Sequence, residues 1–449
     1  MLFERIGRAR DYLFSEGLGP FLVRSVAGTG VVQLCGMALG FLVGVQLARG
    51  LGPTPYGQYG IAMAAVTILS VPGQFGLPRL VLREVAAALP SGNVGRIRGI
   101  TSWASRFSWW ISAVVAVLTA ICAFAYSLGA EGEVAKALLV GAILIPLMTL
   151  TRVTGGALQG LHWPVLGQLP DGVVRPLVCS IALFLLFALV DRPTASDAMA
   201  VGAIAAGCSF LMARRLLAWK LPQGETERGV GDVRKWIGSA IPLALTSGIR
   251  TLEGQLGVLF LGFLATEAEA GYFRLAMSIA VLLSMPITLV SNSVIPVFAR
   301  LFAAGDRPKL QRVVTHAGRA QFGGVLLVSL PLFLAAKPLI SLLFGARYAV
   351  AAGPVVLIAV AQLISTAFGP NGHLLNMTRH ERRVNVIVLI SVAVNAATSA
   401  ALIPIFGLTG AAWGWIAATF VWNLLAWHWA RKHVGVDTFI VPMFAKRTR

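Results

Sequence analysis

An arginine and a glutamate three positions apart, Arg250 and Glu253, stand inside the apolar stretch IPLALTSGIRTLEGQLGVLFLG. Helical spacing puts them on one face, with Ser247, Gly254 and Gly257 on the same side. A charge inside an apolar span is costly to bury and marks a task, and two tasks are open. The pair is either an ion pair locking two helices together, or a cavity group whose guanidinium offers fixed donors to an anion. Glu253 is then the partner of the arginine or an ion-coupling acid. Arg24 sits at the entrance to the first apolar run, as a cavity-mouth arginine or as a membrane-surface anchor. Arg274 opens a later run, where it reaches a cavity or snorkels to the interface. Asp171 and Arg175, four apart after Pro170, read as a local pair at a helix start. His162, His373 and His428 stand alone without metal-ligand spacing and take no role, so no metal site is expected. No Gly-Lys-Ser/Thr sequence occurs, so there is no P-loop, and no cofactor is expected.

The elements that must position these residues are membrane spans. Of 449 residues, 57% are hydrophobic and 12% charged, with a mean hydropathy of +0.79. A water-soluble surface needs more charge than that. Apolar stretches of about 20 residues, the length that crosses a ~30 Å hydrocarbon core, recur throughout. The alternating ten-residue segments of a membrane β-barrel do not. The fold expected is therefore an all-α polytopic membrane protein. Twelve spans are read, at 25–47, 57–78, 107–128, 135–159, 172–190, 197–217, 238–264, 271–298, 320–343, 350–373, 384–404 and 408–430. Cys35, Cys122, Cys179 and Cys208 all fall in apolar runs and read as small buried packing residues.

Charge supports the count. With a cytoplasmic N-terminus, 30 of the 37 Lys and Arg fall on inner segments, five on outer loops (Arg49, Lys136, Arg192, Lys337, Arg347), and Arg250 and Arg274 within spans. That alternation fits the positive-inside rule for an even number of spans, with both termini inside. The net charge of +19 then reflects topology and attraction to anionic inner-leaflet lipids, not a nucleic-acid partner. The first 24 residues have no apolar core leading to a cleavage site and read as an amphipathic segment on the inner surface.

The chain also repeats itself. LARGLGPTPYGQYGIAMAAV at 47–66 and LGFLATEAEAGYFRLAMSIA from Leu261 align at an offset of 214, with Gly57 on Gly271, Met63 on Met277 and Pro72 on Pro286. The offset carries span one onto span seven. The organisation expected is a parallel repeat: N-lobe 25–217, linker 218–237, C-lobe 238–430 and a basic cytoplasmic tail 431–449. Arg250 falls on Gly36 and Gly254 on Gly40. Gly36, Gly40 and Gly44 form a small-residue stripe suited to close helix packing, and Gly254 continues it in the second copy. Trp103, Trp109 and Trp110 read as an aromatic belt near the inner face.

RGLGPTPYGQYGIA after the first span, FGLPRLVLREVA closing the second and EAEAGYFRLA opening the eighth resemble the Wzx-like polysaccharide flippases. These bacterial proteins belong to the multidrug, oligosaccharidyl-lipid and polysaccharide exporter superfamily. The resemblance implies two six-helix lobes in a MATE-like fold around a central cavity, working by alternating access in the cytoplasmic membrane. It implies a polyprenyl-pyrophosphate-linked glycan as cargo for surface polysaccharide, lipopolysaccharide O-antigen or exopolysaccharide among them. A polymerase and glycosyltransferases of the same pathway are the implied partners. On this reading Arg250, Arg24 and Arg274 make a cationic cavity for the pyrophosphate, because guanidinium groups bind phosphate oxygens bidentately. At ~2.3 kcal/mol per charge per 100 mV, an inside-negative membrane moves a doubly charged headgroup outward with roughly 4 to 5 kcal/mol.

Two rivals stand against it. A cation-coupled multidrug antiporter of the same superfamily needs cavity acids, and Glu253 alone is offered, beside Arg250. A membrane glycan polymerase or glycosyltransferase needs a loop rich in acids or histidines, and no outer loop exceeds about fifteen residues, a connector length. Peptidoglycan-precursor flippases carry two further spans, for which the chain has no room.

Overall fold

The computed structural model describes residues 18–129, 132–223, 233–378 and 380–441, with side chains from residue 28. The amphipathic segment expected over 1–24, the middle of the linker and the end of the basic tail therefore lie largely outside the described residues. So does the side chain of Arg24. Every regular element described is helical.

The first half comprises α1 (Leu18–Leu51), α2 (Pro53–Gln74), α3 (Leu77–Ala88), α4 (Val94–Gly129), α5 (Glu133–Gly141), α6 (Leu144–Gly160), α7 (Pro164–Leu169), α8 (Arg175–Leu189) and α9 (Ala195–Lys220). A single π-turn, Pro170–Val174, joins α7 to α8. The second half comprises α10 (Val233–Leu264), α11 (Glu267–Leu283), α12 (Met285–Ala303), α13 (Arg307–Phe344), α14 (Ala352–Ala367), α15 (Asn371–Met377), α16 (Glu381–Phe406) and α17 (Leu408–Trp429). The offset read from one hairpin holds along the chain to within one residue. Pro53 and Glu267 open α2 and α11, Val94 and Arg307 open α4 and α13, and Ala195 and Leu408 open α9 and α17.

Local sequence explains the breaks. Gly52 takes φ 79° and Pro53 follows at the first helical position, where a missing N–H costs nothing. Phe75 and Gly76, at φ 42° and 67°, separate α2 from α3. Thr266 caps α11 through a reciprocal pair of bonds with Glu269. Within α13 the backbone leaves helical geometry at Ala335. That residue lies just ahead of Pro338, whose ring crowds the carbonyl four residues back.

Eleven helical stretches among the described residues are long and apolar enough to cross a membrane. The span expected at 238–264 is not one of them. It exists as the 32-residue α10, about 48 Å long at 1.5 Å per residue, but Arg250, Glu253 and their polar neighbours dilute its apolar run. The helix that carries Arg250 and Glu253 is thus too polar to count as a lipid span.

Three apolar clusters organise the interior. At the hairpin end, where α1 turns into α2 and α10 into α11, one core joins both halves, with Leu47, Tyr56, Tyr59, Leu261, Phe273 and Tyr348 among its members. At the opposite, basic end there are two separate cores. One is built on Leu80, Val85, Ile100 and Trp236, the other on Phe298, Leu310, Leu374 and Val434. The halves thus share one core at the hairpin end, while at the basic end there are two cores, the first of which α10 enters through Trp236 and Ala240.

The clasp is reciprocal. A Cβ on Gly57 would strike the carbonyl oxygen of Glu267 and lie 3.0 Å from Gly271 N. A Cβ on Gly271 would strike the carbonyl oxygen of Pro53 and lie 3.0 Å from Gly57 N. Each partner is the other's counterpart at the 214 offset, so α2 and α11 meet backbone to backbone on a local two-fold. Gln58 Nε2 donates to Glu267 (2.7 Å) beside this contact, Tyr348 donates its hydroxyl to Ala48 O (2.9 Å), and Arg49 donates to the carbonyls of Leu342 and Leu343.

Several packing expectations are corrected. Gly36 does pack closely, against the backbone carbonyl of Gly172, and a Cβ on Gly44 would stand 3.1 Å from Ser278 Oγ. A Cβ on Gly40 or Gly254 would meet nothing within 4 Å. Gly40 instead borders a cavity. Cys179 is buried, but Cys35, Cys122 and Cys208 are exposed, because a lipid-facing helix surface is as apolar as a core. Trp109 and Trp110 are exposed, while Trp103 stacks on Phe107 (5.3 Å) and meets Trp236 (5.2 Å) inside the first basic-end cluster.

Candidate functional site

Four cavities lie among these helices, three lined from both halves and one from the second half alone. The ionic cavity, about 590 Å³, is walled by α1, α2, the α6–α8 region and α11, and presents Arg152, Asp171, Arg175 and Arg274 beside Tyr56 and Tyr59. The junction cavity, about 460 Å³, is lined by Arg79, Arg152, Asp171, Arg250, Gln74 and Gln159. The amide cavity, about 640 Å³, lies in the second half, with Arg79, Arg250, His373, Asn376, Asn385 and Trp422 in its wall. A pocket of about 260 Å³ holds Glu253, Gln362, Trp415 and Trp422, again with Arg250. Arg152 and Asp171 border both ionic and junction cavities, and Arg79 and Arg250 both junction and amide cavities. The spaces therefore run into one another, and Arg250 borders three of them.

Arg250 reaches this position from the middle of α10, and its side chain is open to the cavity. Among the described residues no salt bridge joins it to Glu253. Glu253 points into the smallest pocket. At the counterpart position Gly36 the backbone presses on Gly172 of the π-turn, where no side chain fits. The first copy uses the site to pack, and the second uses it to carry a charge.

The side chain of Arg274 is half-buried. Its Cδ lies 2.9 Å from where a Gly60 Cβ would stand, so its stem rests on the glycine. Gly60 is again the counterpart at the 214 offset. The guanidinium then sits 5.0 Å from the Tyr59 ring centre and 6.0 Å from that of Tyr56, within cation–π range, and borders the ionic cavity.

Asp171 and Arg175 are not merely a helix-start pair, because the helix runs through them as a π-turn. Pro170 has no N–H to give the ladder, and the wider turn is a form frequent at functional sites. Asp171 bonds Arg175 (2.9 Å) and also Arg152, nineteen residues earlier (3.5 Å). Arg152 donates to Gln74 on α2 (3.3 Å). A second polar chain crosses between the halves. Asn292 on α12 donates to Gln33 (3.0 Å), and Gln33 donates to Gln168 (3.3 Å).

Five cavity arginines, 79, 152, 175, 250 and 274, thus converge with two acids, Asp171 and Glu253. Sequence reasoning missed Arg79, Arg152 and Arg175, which the charge count places on inner segments. The signal was present for two of them, since Arg152 and Arg175 fall within the spans 135–159 and 172–190. His373, assigned no role, borders the amide cavity. Among the described residues no cluster of His, Cys, Asp and Glu could hold a metal ion. Chemically, this arrangement can hold a polyanion and bring a neutral polar group beside it.

Comparison with known proteins agrees with that geometry. Residues 22–302, well over half of the chain, match the family model described as "Polysaccharide biosynthesis protein". The chain is 24% identical over 348 residues to "Inner membrane protein YghQ" of Escherichia coli (strain K12), covering 75% of this chain and 96% of that one. Among solved structures, an inward-facing multidrug resistance MATE family transporter of the MOP superfamily superposes with a TM-score of 0.73 at 15% identity, covering 90% of this chain and 98% of that one. An outward-facing MATE family transporter gives 0.66 at 15% identity, over 94% and 99%. The lipid II flippase MurJ, in an inward closed conformation, gives 0.66 at 13% identity, over 89% and 87%. At these identities the likeness shows a shared fold.

Proposed function

The chain belongs to the polysaccharide biosynthesis protein family, and from that premise we propose that it flips a polyprenyl-pyrophosphate-linked oligosaccharide across the bacterial cytoplasmic membrane. The observation that carries the reading is the convergence of five arginines from both halves on connected cavities with two acids among them. A pyrophosphate headgroup is a compact dianion. Guanidinium groups bind it through fixed, always-charged donors, more strongly in a water-poor cavity than in bulk water.

Transport proceeds by alternating access between an N-lobe, 25–217, and a C-lobe, 238–430, joined through 218–237. Two basic-end cores beside one hairpin-end core support an arrangement open toward the basic end. With both termini cytoplasmic, that end faces the glycan-lipid where it is made. Outward passage requires the Gly57–Gly271 clasp to part while the basic-end cores close. The membrane potential supplies direction, and the site carries a charge rather than catalysing bond changes. Glu253 is the group available for coupling to an ion. Lipids of the anionic inner leaflet and the enzymes that build and polymerise the glycan are the partners of this reading.

A second reading, a cation-coupled multidrug antiporter, is favoured by the fold shared with MATE family transporters and by the Glu253 pocket. Proteoliposomes decide between them. Purified protein is reconstituted with a fluorescent polyprenyl-pyrophosphoryl oligosaccharide or a cationic dye, with and without an inside-negative potential. Glycan-lipid movement accelerated by the potential, with dye ignored, is the expected result. Ion-driven dye movement with the glycan-lipid static overturns it and makes Glu253 the residue to study.

A further inference from the structure

The amide cavity differs from the other spaces in having no carboxylate among its described lining residues. Its wall is prearranged. Asn371 and Asn423, 3% and 1% exposed, are bonded to each other (3.1 Å), and Asn385 donates to Thr246 (2.9 Å). A Cβ on Gly372 would stand 3.0 Å from the Trp422 ring, so the glycine lets α15 lie against the indole edge and hold it. Facing the space are groups that take no protein hydrogen bond among the described residues: the side chains of His373, Asn376 and Ser365, and the Trp422 indole N–H. Unsatisfied donors and acceptors beside a fixed aromatic surface suit a neutral ligand that is rich in hydroxyl or acetamido groups and has one apolar face. A hydrocarbon tail would leave those polar groups unpaired, and a cationic drug would find no counter-charge.

From this we propose that the amide cavity binds the first sugar of the cargo, with the pyranose face on Trp422 and its polar substituents on Asn376 and His373. The proposal rests on the flippase reading. Arg79 and Arg250 border this cavity and the junction cavity together, so a pyrophosphate held by them places the attached sugar here. The cavity is large enough for more than one sugar, but only the first is fixed in position by the phosphate bond. Binding at the amide cavity thus makes cargo recognition a two-part reading, charge by the arginines and glycan by the second half.

Affinity ratios test it on the purified full chain. The probes are a long-chain polyprenyl pyrophosphate without sugar, and the same lipid bearing one hexose or one N-acetylhexosamine. At least one sugar-bearing lipid should bind roughly tenfold tighter than the bare lipid, the scale of one aromatic contact with its hydrogen bonds. Trp422→Ala and Asn376→Ala should each remove most of that ratio, while Trp422→Phe, which keeps an aromatic face, should retain most of it. Equal affinity of wild type for bare and sugar-bearing lipids overturns the proposal and leaves the flippase reading standing. So does a ratio unmoved in both alanine variants. Asn376 is half-buried on the cavity wall and makes no protein hydrogen bond among the described residues, so its alanine variant remains informative should Trp422→Ala fail to fold. Wild type that binds neither lipid removes the flippase reading and this proposal with it.

Discussion

Asp171, in the first half, is held between Arg152 and Arg175, whereas 214 positions later Asn385 bonds a threonine hydroxyl. At the same offset Arg152 and Gln159, which line the junction cavity, answer to Thr366 and His373, which line the amide cavity. The starts of α2 and α11, α4 and α13, and α9 and α17 match to within one residue, so the repeat specifies where the helices lie and leaves their side-chain chemistry free. One half has become ionic and the other amide-rich. The arginines that belong to both surroundings, Arg79 and Arg250, stand where the two meet.

The sharpest way to break that comparison is at the meeting point. Arg250→Ala is predicted to abolish glycan-lipid export in proteoliposomes, by about a hundredfold or more on the scale of a lost charged hydrogen bond, with the protein still folded and inserted. Replacing Arg250 and Glu253 together by apolar residues should not rescue it. Recovery in the double variant would make the two residues a structural pair and remove them from the cargo path.

The clasp comes next. Gly57→Val and Gly271→Val each force a side chain into the opposing backbone, and either should lower stability by about 1–3 kcal/mol, read as a lower melting temperature in detergent. Equal losses are expected because the contact is reciprocal. A loss at one glycine alone would show that the two-fold is only approximate in energy.

Asp171→Asn makes the first half resemble the second at this position. It leaves Arg152 and Arg175 facing each other without a counter-charge. Because these groups are a quarter to a third exposed, the stability loss should be about 1 kcal/mol or less. The larger effect should be on the rate of glycan-lipid movement. An unchanged rate would take the ionic cavity out of the transport path.

The smallest effect expected is at Gly254. With open space around it, Gly254→Ala should change stability by no more than about 1 kcal/mol, and upward, from helix propensity alone. A marked loss would restore the packing role first read from the stripe.

Much of this architecture was legible in the sequence. The all-helical membrane fold follows from hydrophobic length, and the internal repeat from the 214-residue offset, whereas the span expected at 271–298 is divided at Ser284 between α11 and α12. What remained hidden shares one physical cause. An apolar helix face toward lipid and one toward protein have the same composition, so Cys35, Cys122 and Cys208 could not be told from core cysteines. An arginine near a span end satisfies the positive-inside rule whether it touches headgroups or a cavity, which concealed Arg79, Arg152 and Arg175. The π-turn at Pro170 and the neutral lining of the amide cavity leave no periodic trace, since asparagines and a tryptophan scattered from 371 to 423 are brought together only by packing.

The meeting of Gly57 with Gly271 also bears on how such a chain can diverge after an internal duplication. Every substitution at either glycine adds at least a Cβ, and that atom lands on the backbone of the other copy. No compensating side-chain change is available there, because a carbonyl oxygen cannot be mutated away. The two copies can therefore drift apart in what they bind while remaining tied at this crossing. At this crossing the two copies are held to glycine, while neighbouring seam positions such as Pro53 and Glu267 have diverged.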